Sequence, residues 1–406
     1  MPTTSAPARP SIRQAVTEID HLPAARVFAG LAVPGLILIA LGREDLLIFA
    51  VFGSFTGMYG FAESPRQRLL HQSEAAVMLV GAVGAGILLA RLHASPVVLV
   101  VAVTVFAALA SPITDRLGLR PEGPFFGIFA FGAIAMVAHV QPNPVLALMI
   151  CAATAVLCVV VGYLESVRRA RDPNAPEIAP HRTGRISLVQ AARYALAISI
   201  AGGIGLLLGV GHANWVMAGA AVPLAAASAR DRINRGLHRV AGTVLGLLVT
   251  APLLIPGPSP AVLALAIIAL LYPTELFMAR HYALALGFFT PLIISMTELA
   301  SPADPLTMLT DRGVDTLLGA AVGIAVAVLV RDTGVPGLPT QSCEPLHTDA
   351  MADDNQWYYC IKHHKAEQGK TCWYGDRMGP YPDQATAERA LEIARARNKA
   401  ADAEDD

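Results

Sequence analysis

The sequence predicts an all-α polytopic membrane protein: about twelve transmembrane helices in two parallel six-helix repeats, with a small C-terminal ββα soluble unit. Composition is the first reason. Hydrophobic residues make up 54% of the 406 and charged residues only 15%, with a mean hydropathy of +0.52, where soluble chains carry roughly 25% charged residues. Run length is the second: apolar stretches of roughly 17–22 residues match the ~30 Å of a bilayer core at ~1.5 Å per residue. The third is internal similarity between the two halves of the chain.

The apolar spans fall at roughly 25–42, 45–62, 74–92, 95–112, 123–140, 144–164, 188–209, 213–229, 239–255, 260–278, 281–298 and 313–330. The first reads as a retained helix rather than a cleaved leader. With the N-terminus in the cytoplasm, 19 arginines between Arg9 and Arg331 lie on the cytoplasmic side, and only Arg43, Arg91 and Arg312 lie opposite. The positive-inside rule therefore puts both termini in the cytoplasm of a multi-pass inner (plasma) membrane protein, since an even span count returns the chain to its starting side.

A shift of 167 residues lays Ala24-Ala25-Arg26 on Ala191-Ala192-Arg193, Gly35 and Gly42 on Gly202 and Gly209, and Arg68 and His71 on Arg235 and His238. Each half holds six spans, so both enter the membrane from the same side and a pseudo-two-fold along the membrane normal relates them. The domains read as 1–165 and 188–331 for the membrane repeats, 166–187 for a charged cytoplasmic linker, 332–352 for a flexible tether and 353–406 for a small soluble domain. Glycines inside the spans, such as Gly81-x2-Gly84-x-Gly86 and Gly202-Gly203-x-Gly205, read as helix-contact positions.

All four lysines (Lys362, Lys365, Lys370, Lys399) sit in the last 45 residues, a composition unlike that of the membrane unit. There, Trp357–Ile361 and Cys372–Tyr374 read as strands, and a helix capped by Asp383 presents Ala387, Leu391 and Ala394 on one face. Cys360, His363, His364 and Cys372 do not match a common zinc spacing, so no metal is expected. A Cys360–Cys372 disulfide suits neighbouring strands, whereas a cytoplasmic tail keeps thiols reduced. Cys151 and Cys158, inside one apolar span, read as small hydrophobes.

Ionisable groups within a membrane are costly and so mark candidate sites. Glu74, His71 and Glu275 are candidates for proton coupling, with interfacial placement the competing reading. Arg312 and Asp315 suit an i,i+3 ion pair at a helix mouth. The densest charge cluster is the loop Arg230–Arg239, containing Arg232 and Arg235; it reads either as a positive-inside anchor or as an anion-attracting entrance. No P-loop, zinc spacing or hydrolase elbow is present, and no convergent His or carboxylate set points to an enzyme. No cofactor is expected. The arginines are dispersed over short loops, which excludes a nucleic-acid face.

Trp215-Val216-Met217-Ala218-Gly219-Ala220-Ala221, then Arg239-x2-Gly242-Thr243, then Arg312-Gly313-Val314-Asp315 through Gly319 resemble the fusaric acid resistance protein-like family. The resemblance covers much of 188–331 and, through the repeat, more faintly 24–165. It implies ion-gradient-driven export of aromatic or other weak organic acids, with Trp215, Arg232, Arg235, Arg239, Thr243, Arg312 and Asp315 on the substrate path. The first half departs from the pattern, reading Arg68-Leu69-Leu70-His71 without the Gly-Thr, and the linker is shorter than the cytoplasmic domains of many members. The tail is similar to SPOR-like domains, through Trp357–Cys360 and Gly379-Pro380-Tyr381, implying protein or peptidoglycan contact. The expected partners are the lipid bilayer, a small organic anion and further copies of the chain in a homo-oligomer. Two other readings are a major-facilitator-type carrier and a non-transporting scaffold whose tail recruits an envelope partner.

Overall fold

The computed structural model describes residues 21–61, 63–137, 143–170, 187–209, 213–226, 228–278 and 281–330, and in the tail 357–360, 363, 365–369, 377–381 and 383–392. Most of the linker, the tether, Arg280, Cys343, His364 and the strand expected at Cys372–Tyr374 lie outside these residues. The chain divides into two compact units, Met1–Arg331 and Asp332–Asp406.

The first unit is helical. Its helices are α1 (His21–Ala40), α2 (Leu47–Ser54, prolonged by a 3-10 turn Phe55–Met58), α3 (Pro65–Arg91), α4 (Pro96–Leu117), α5 (Phe125–Val137), α6 (Pro144–Arg169), α7 (Leu188–Leu207), α8 (Ala213–Leu224), α9 (Ala229–Leu254), α10 (Pro260–Met278), α11 (Tyr282–Ala300) and α12 (Pro305–Leu329). Their starts are written in the sequence. Ser64, Ser95, Asn143 and Asp304 each cap a helix whose first residue is proline, a position where the missing N–H costs nothing. Ser228 caps α9 in the same way, its hydroxyl accepting from the Asp231 N–H at 3.1 Å.

Among the described residues, nine helices are long and apolar enough to cross a membrane. Of the twelve expected spans, α2, α5 and α8 are short, with only 8, 13 and 12 residues, against ~20 needed to traverse the hydrocarbon. Every residue of α2 and α8 is buried, as is most of α5. Short helices enclosed by long ones are shielded from lipid, which could not satisfy their free backbone ends. The long helices are apolar on their outer faces too. Val97, Val101, Val105, Leu109 and Ile113 form an i,i+4 stripe on α4, each more than half exposed, while Leu99, Val103 and Ala107 face inward. Such a stripe is stable against acyl chains and unstable in water.

Helix neighbours recur at an interval of six. As α3 packs on α5 and α6, so α9 packs on α11 and α12; as α2 packs on α6, so α8 packs on α12. Likewise α4 packs on α7 as α10 packs on α1. The C-terminal turns after α1 and α7 both place a glycine in the left-handed region, Gly42 at φ 63° and Gly209 at φ 64°. At the centre, Phe52, Phe55, Phe126, Phe129, Trp215 and Phe289 make a continuous set of ring contacts, with centroids 5.0–6.5 Å apart.

Small residues set the closest helix approaches. A Cβ on Gly319 would strike the carbonyl of Val216, and one on Gly242 the carbonyl of Ala283, both backbone atoms that cannot swing aside. Of the glycines singled out in the sequence, Gly86, Gly202 and Gly205 fill this role, whereas Gly81 and Gly203 meet nothing within 4 Å.

In the second unit, β1 (Trp357–Cys360) lies between β2 (Lys365–Gln368) and β3 (Arg377–Tyr381), antiparallel to both, followed by α13 (Gln384–Glu388). The ββα expectation is thus corrected to three described strands and a helix. Lys365-Ala366-Glu367-Gln368 lacks apolar alternation, and β3 carries Gly379-Pro380; both are edge strands, where polarity and proline are tolerated. Asp383 caps α13 as expected, accepting from the Thr386 N–H at 2.8 Å.

Gly319→Val is expected to lower the thermal midpoint of the detergent-solubilised protein by several degrees, since overpacking costs about 1–3 kcal/mol and here presses on backbone. Gly203→Val, facing open space, should leave it unchanged. Equal melting of the two would show that α8 and α12 do not approach as described.

Candidate functional site

Helix starts earlier than the hydropathy suggests relocate several expected residues. Arg230–Arg239 is not a loop but the first turns of α9, and Glu74 and Asp315 lie about two turns inside α3 and α12. Arg26, Arg68, Arg193, Arg232, Arg239 and Arg312 are buried, so these arginines do more than anchor loops at an interface.

In the first half, two of them converge on one carboxylate. Arg26 Nη1 donates to Glu165 Oε2 at 2.9 Å and Nη2 to the Gly57 carbonyl at 3.2 Å. Arg68 Nη1 donates to the same Glu165 oxygen, and to Ser166 Oγ at 2.7 Å. Glu165 therefore ties α1, α3 and α6 together. Nearby in sequence, His71 Nδ1 meets Glu63 Oε2 at 2.7 Å, so this expected proton-coupling residue is held in a local pair. Glu275 on α10 is half-buried, its Oε1 enclosed and lacking a hydrogen bond, and the charge of Arg26 acts on it.

In the second half, Arg232 and Arg235 serve the end of α8. Arg232 Nε donates to the Ala226 carbonyl at 2.8 Å, Arg235 Nη1 to the Ala225 carbonyl at 3.3 Å, and Gln190 Nε2 to the Leu224 carbonyl at 2.6 Å. The last carbonyls of a helix have no intrahelical partner and carry partial negative charge, so guanidiniums are suited to them. Arg235 also lies over the Tyr282 ring, 5.0 Å from its centroid. These two arginines, expected at a substrate entrance, are engaged in holding the short helix. Arg193 Nε donates to the Val330 carbonyl at 2.8 Å.

Trp215, Arg239, Arg312 and Asp315 lie near one another, and Thr243 is buried one turn beyond Arg239 on α9. Arg312 on α12 lies over the indole of Trp215 on α8, 4.2 Å from the ring centroid. The charges of Arg239 and Asp315 both act on Arg312. Buried without a hydrogen-bond partner are Nε and Nη1 of Arg239, Nε and Nη1 of Arg312, both carboxylate oxygens of Asp315, and the Thr243 hydroxyl. The i,i+3 ion pair expected between Arg312 and Asp315 is absent: neither carboxylate oxygen has a partner, because Arg312 turns to the indole instead. A cavity of ≈ 20 Å³ adjoins, lined by Trp215, Ile294, Thr297, Met308, Asp311 and Arg312. That is room for about one water. A larger guest requires α8, α11 or α12 to shift.

Sequence reasoning missed Glu165, Glu63 and Gln190, which lie near span ends, and the α11 residues Thr290, Ser295 and Thr297. Thr290 and Ser295 each bury a hydroxyl without a partner. Their signal is faint, since hydroxyls in membrane helices usually bond back to their own turn. An exception is readable: both stand within two spans of the Arg-Gly-Thr sequence, on the helix that Gly242 touches.

Long apolar helices enclosing short buried ones, with ionisable groups held inside, define a multi-pass membrane protein in contact with the lipid bilayer. Residues 200–326 match the fusaric acid resistance protein-like family, a stretch that carries Trp215, Arg239, Thr243, Arg312 and Asp315. The chain is also similar to the uncharacterized membrane protein YvaC of Bacillus subtilis (strain 168), 26% identical over 181 residues. That match covers 42% of this chain and 29% of the relative, so the chain spans less than a third of that protein's length. No solved structure matches the chain.

Glu165→Ala leaves two buried guanidiniums without their shared carboxylate and is expected to cost about 3–5 kcal/mol, read as a lower thermal midpoint in detergent. Arg43→Ala, which removes an exposed pair with Asp45, should not change it measurably. A Glu165→Ala variant that melts like the parent would refute the hub.

Proposed function

We propose that the chain is an inner-membrane exporter of aromatic or other weak organic acids, driven by an ion gradient, with the substrate carboxylate bound between Arg239 and Arg312 and its ring against Trp215. The observation that carries this reading is the pair of buried guanidiniums whose Nε and Nη1 atoms have no hydrogen-bond partner. Leaving such donors unpaired in an apolar interior costs several kcal/mol. The nearby carboxylates, Asp315 and the cavity-lining Asp311, bond neither Nε nor Nη1 of either guanidinium, so these donors are open to a substrate carboxylate. Guanidiniums bind carboxylates through paired hydrogen bonds, and the Trp215 indole offers a flat apolar face beside them. Thr243 and the α11 hydroxyls supply neutral donors.

The membrane unit is read here as two parallel six-helix repeats with both termini cytoplasmic, the short helices α2, α5 and α8 completing the passages inside the bundle. The six-helix interval in neighbour contacts and the matching capped prolines support this. Interrupted or short helices at corresponding places in two repeats commonly mark the transport site, and α2 and α8 are such a pair. The two copies are unequal. At the 167-residue offset Gln72 and Ala76 stand where the second half has Arg239 and Thr243. Aligning Pro144 with Pro305 puts Cys151 and Thr154 where it has Arg312 and Asp315. One charged site in a neutral framework binds one substrate per chain. Glu275, half-buried with one enclosed unpartnered oxygen and within the field of Arg26, is the candidate for carrying the coupled proton.

Inside-out vesicles with an acidified lumen are expected to accumulate labelled benzoate-class acids. Arg312→Gln and Arg239→Gln should each weaken apparent affinity roughly ten- to hundred-fold, the value of a charge-assisted hydrogen bond, while Arg43→Gln transports like the parent. Absence of uptake across a panel of aromatic and aliphatic acids would overturn the exporter reading.

A further inference from the structure

The tail contains donor groups that the transport reading does not use. The β1–β2 hairpin pairs Cys360 with Lys365 and Tyr358 with Glu367, so the side chains of Cys360, Lys365 and Glu367 share one face of the sheet. His363 stands in the turn between the strands. The ligand atoms of Cys360, His363 and Glu367 all lie within 4.8 Å of one another. Two of them already meet, His363 Nδ1 and Glu367 Oε1 being 3.0 Å apart, and Lys365 Nζ approaches the same oxygen at 3.4 Å. A His–Glu pair at the surface of a hairpin is ordinary. A buried free thiol beside it is not needed for that pair, and Cys360 is both buried and free.

We propose that this hairpin binds a zinc-class divalent transition-metal ion through Cys360 Sγ, a ring nitrogen of His363 and a carboxylate oxygen of Glu367. The donor set decides the class. A thiolate and an imidazole select zinc and its neighbours over magnesium or calcium, which take oxygen ligands alone. Ligand atoms of a tetrahedral zinc ion lie ~3.3–3.8 Å apart given bonds of about 2.0–2.3 Å, so the cluster needs a contraction of about an ångström, available to the His363 and Glu367 side chains. Binding deprotonates the thiol, displaces the Lys365 ammonium from Glu367 and leaves a fourth position for water or another ligand. The sequence spacing concealed this set because Glu367 belongs to no common zinc pattern; the hairpin register, not the spacing, brings it to the thiol. A metal there would join the two strands at their turn and stiffen a unit small enough to gain from it.

The test uses the full-length protein, purified in detergent under reducing conditions and titrated with Co²⁺, whose bond to a thiolate gives a near-ultraviolet charge-transfer band. The wild type is expected to bind about one equivalent with that band, and Zn²⁺ should displace it. Cys360→Ser should abolish the band, whereas Cys158→Ser, altering a thiol of the membrane unit, should keep it. Glu367→Gln preserves the hairpin's backbone pairing and should keep the band while weakening affinity at least tenfold. The proposal is overturned if the wild type shows no thiolate band, if the band survives Cys360→Ser, or if Glu367→Gln binds Co²⁺ as tightly as the parent.

Discussion

Lipid offers no hydrogen bonds, and that single constraint organises the membrane unit. A helix long enough to reach both interfaces leaves its unpaired ends in water or among headgroups; a helix of a dozen residues cannot. α8 is such a helix, and the carbonyls of its last residue and of the two that follow are met by Gln190, Arg235 and Arg232, side chains from the helices on either side in sequence. The charge cluster at the start of α9 follows from this need: cations at a helix C-terminus complement its partial negative charge. Close approach follows too, because α8 must be enclosed, and Gly319 and Gly323 on α12 allow backbone to lie against backbone.

The two halves use their arginines differently. In the first, Arg26 and Arg68 share the carboxylate of Glu165, which joins three helices. In the second, Arg193 meets the Val330 carbonyl and the Gln190 side chain, and Arg239 and Arg312 keep buried nitrogens without partners. Arg26 and Arg68 each leave one buried nitrogen, Nε, unmet, whereas Arg239 and Arg312 each leave two, so the larger cost falls where a ligand can offset it. The central aromatic set, running from Phe52 to Trp215 and Phe289, joins helices of both halves.

Much of the fold was legible because hydropathy and capping agree. The spans expected from 95 and 144 begin at Ser95-Pro96 and Asn143-Pro144, whereas α12 begins at Asp304-Pro305, ahead of the span expected from 313. Hydropathy failed where helices are polar in their first turns, so α3 and α9 begin well before their apolar runs and Arg230–Arg239 was read as a loop. It also failed on the depth of the short helices, since a buried segment of 12 residues in α8 and a membrane-crossing one look alike in composition. Trp215, Arg239, Thr243, Arg312 and Asp315 were legible as a group through their motif, but their mutual geometry was not. The i,i+3 rule favoured an Arg312–Asp315 pair, and the tertiary contact with the Trp215 indole prevailed. In the tail, β2 was invisible because an edge strand of Lys-Ala-Glu-Gln is held by its neighbour's backbone rather than by its own apolar residues.

The most direct measurement on the central claim is the fluorescence of Trp215 in the full-length protein with Trp357 and Trp373 changed to Phe, which leaves one indole. Titration with an aromatic carboxylate should give a saturable change in intensity or emission maximum, absent with the corresponding neutral amide and lost in Arg312→Gln. A response of equal size to acid and amide, or one that persists without the Arg312 guanidinium, would contradict a carboxylate site between Arg239 and Arg312.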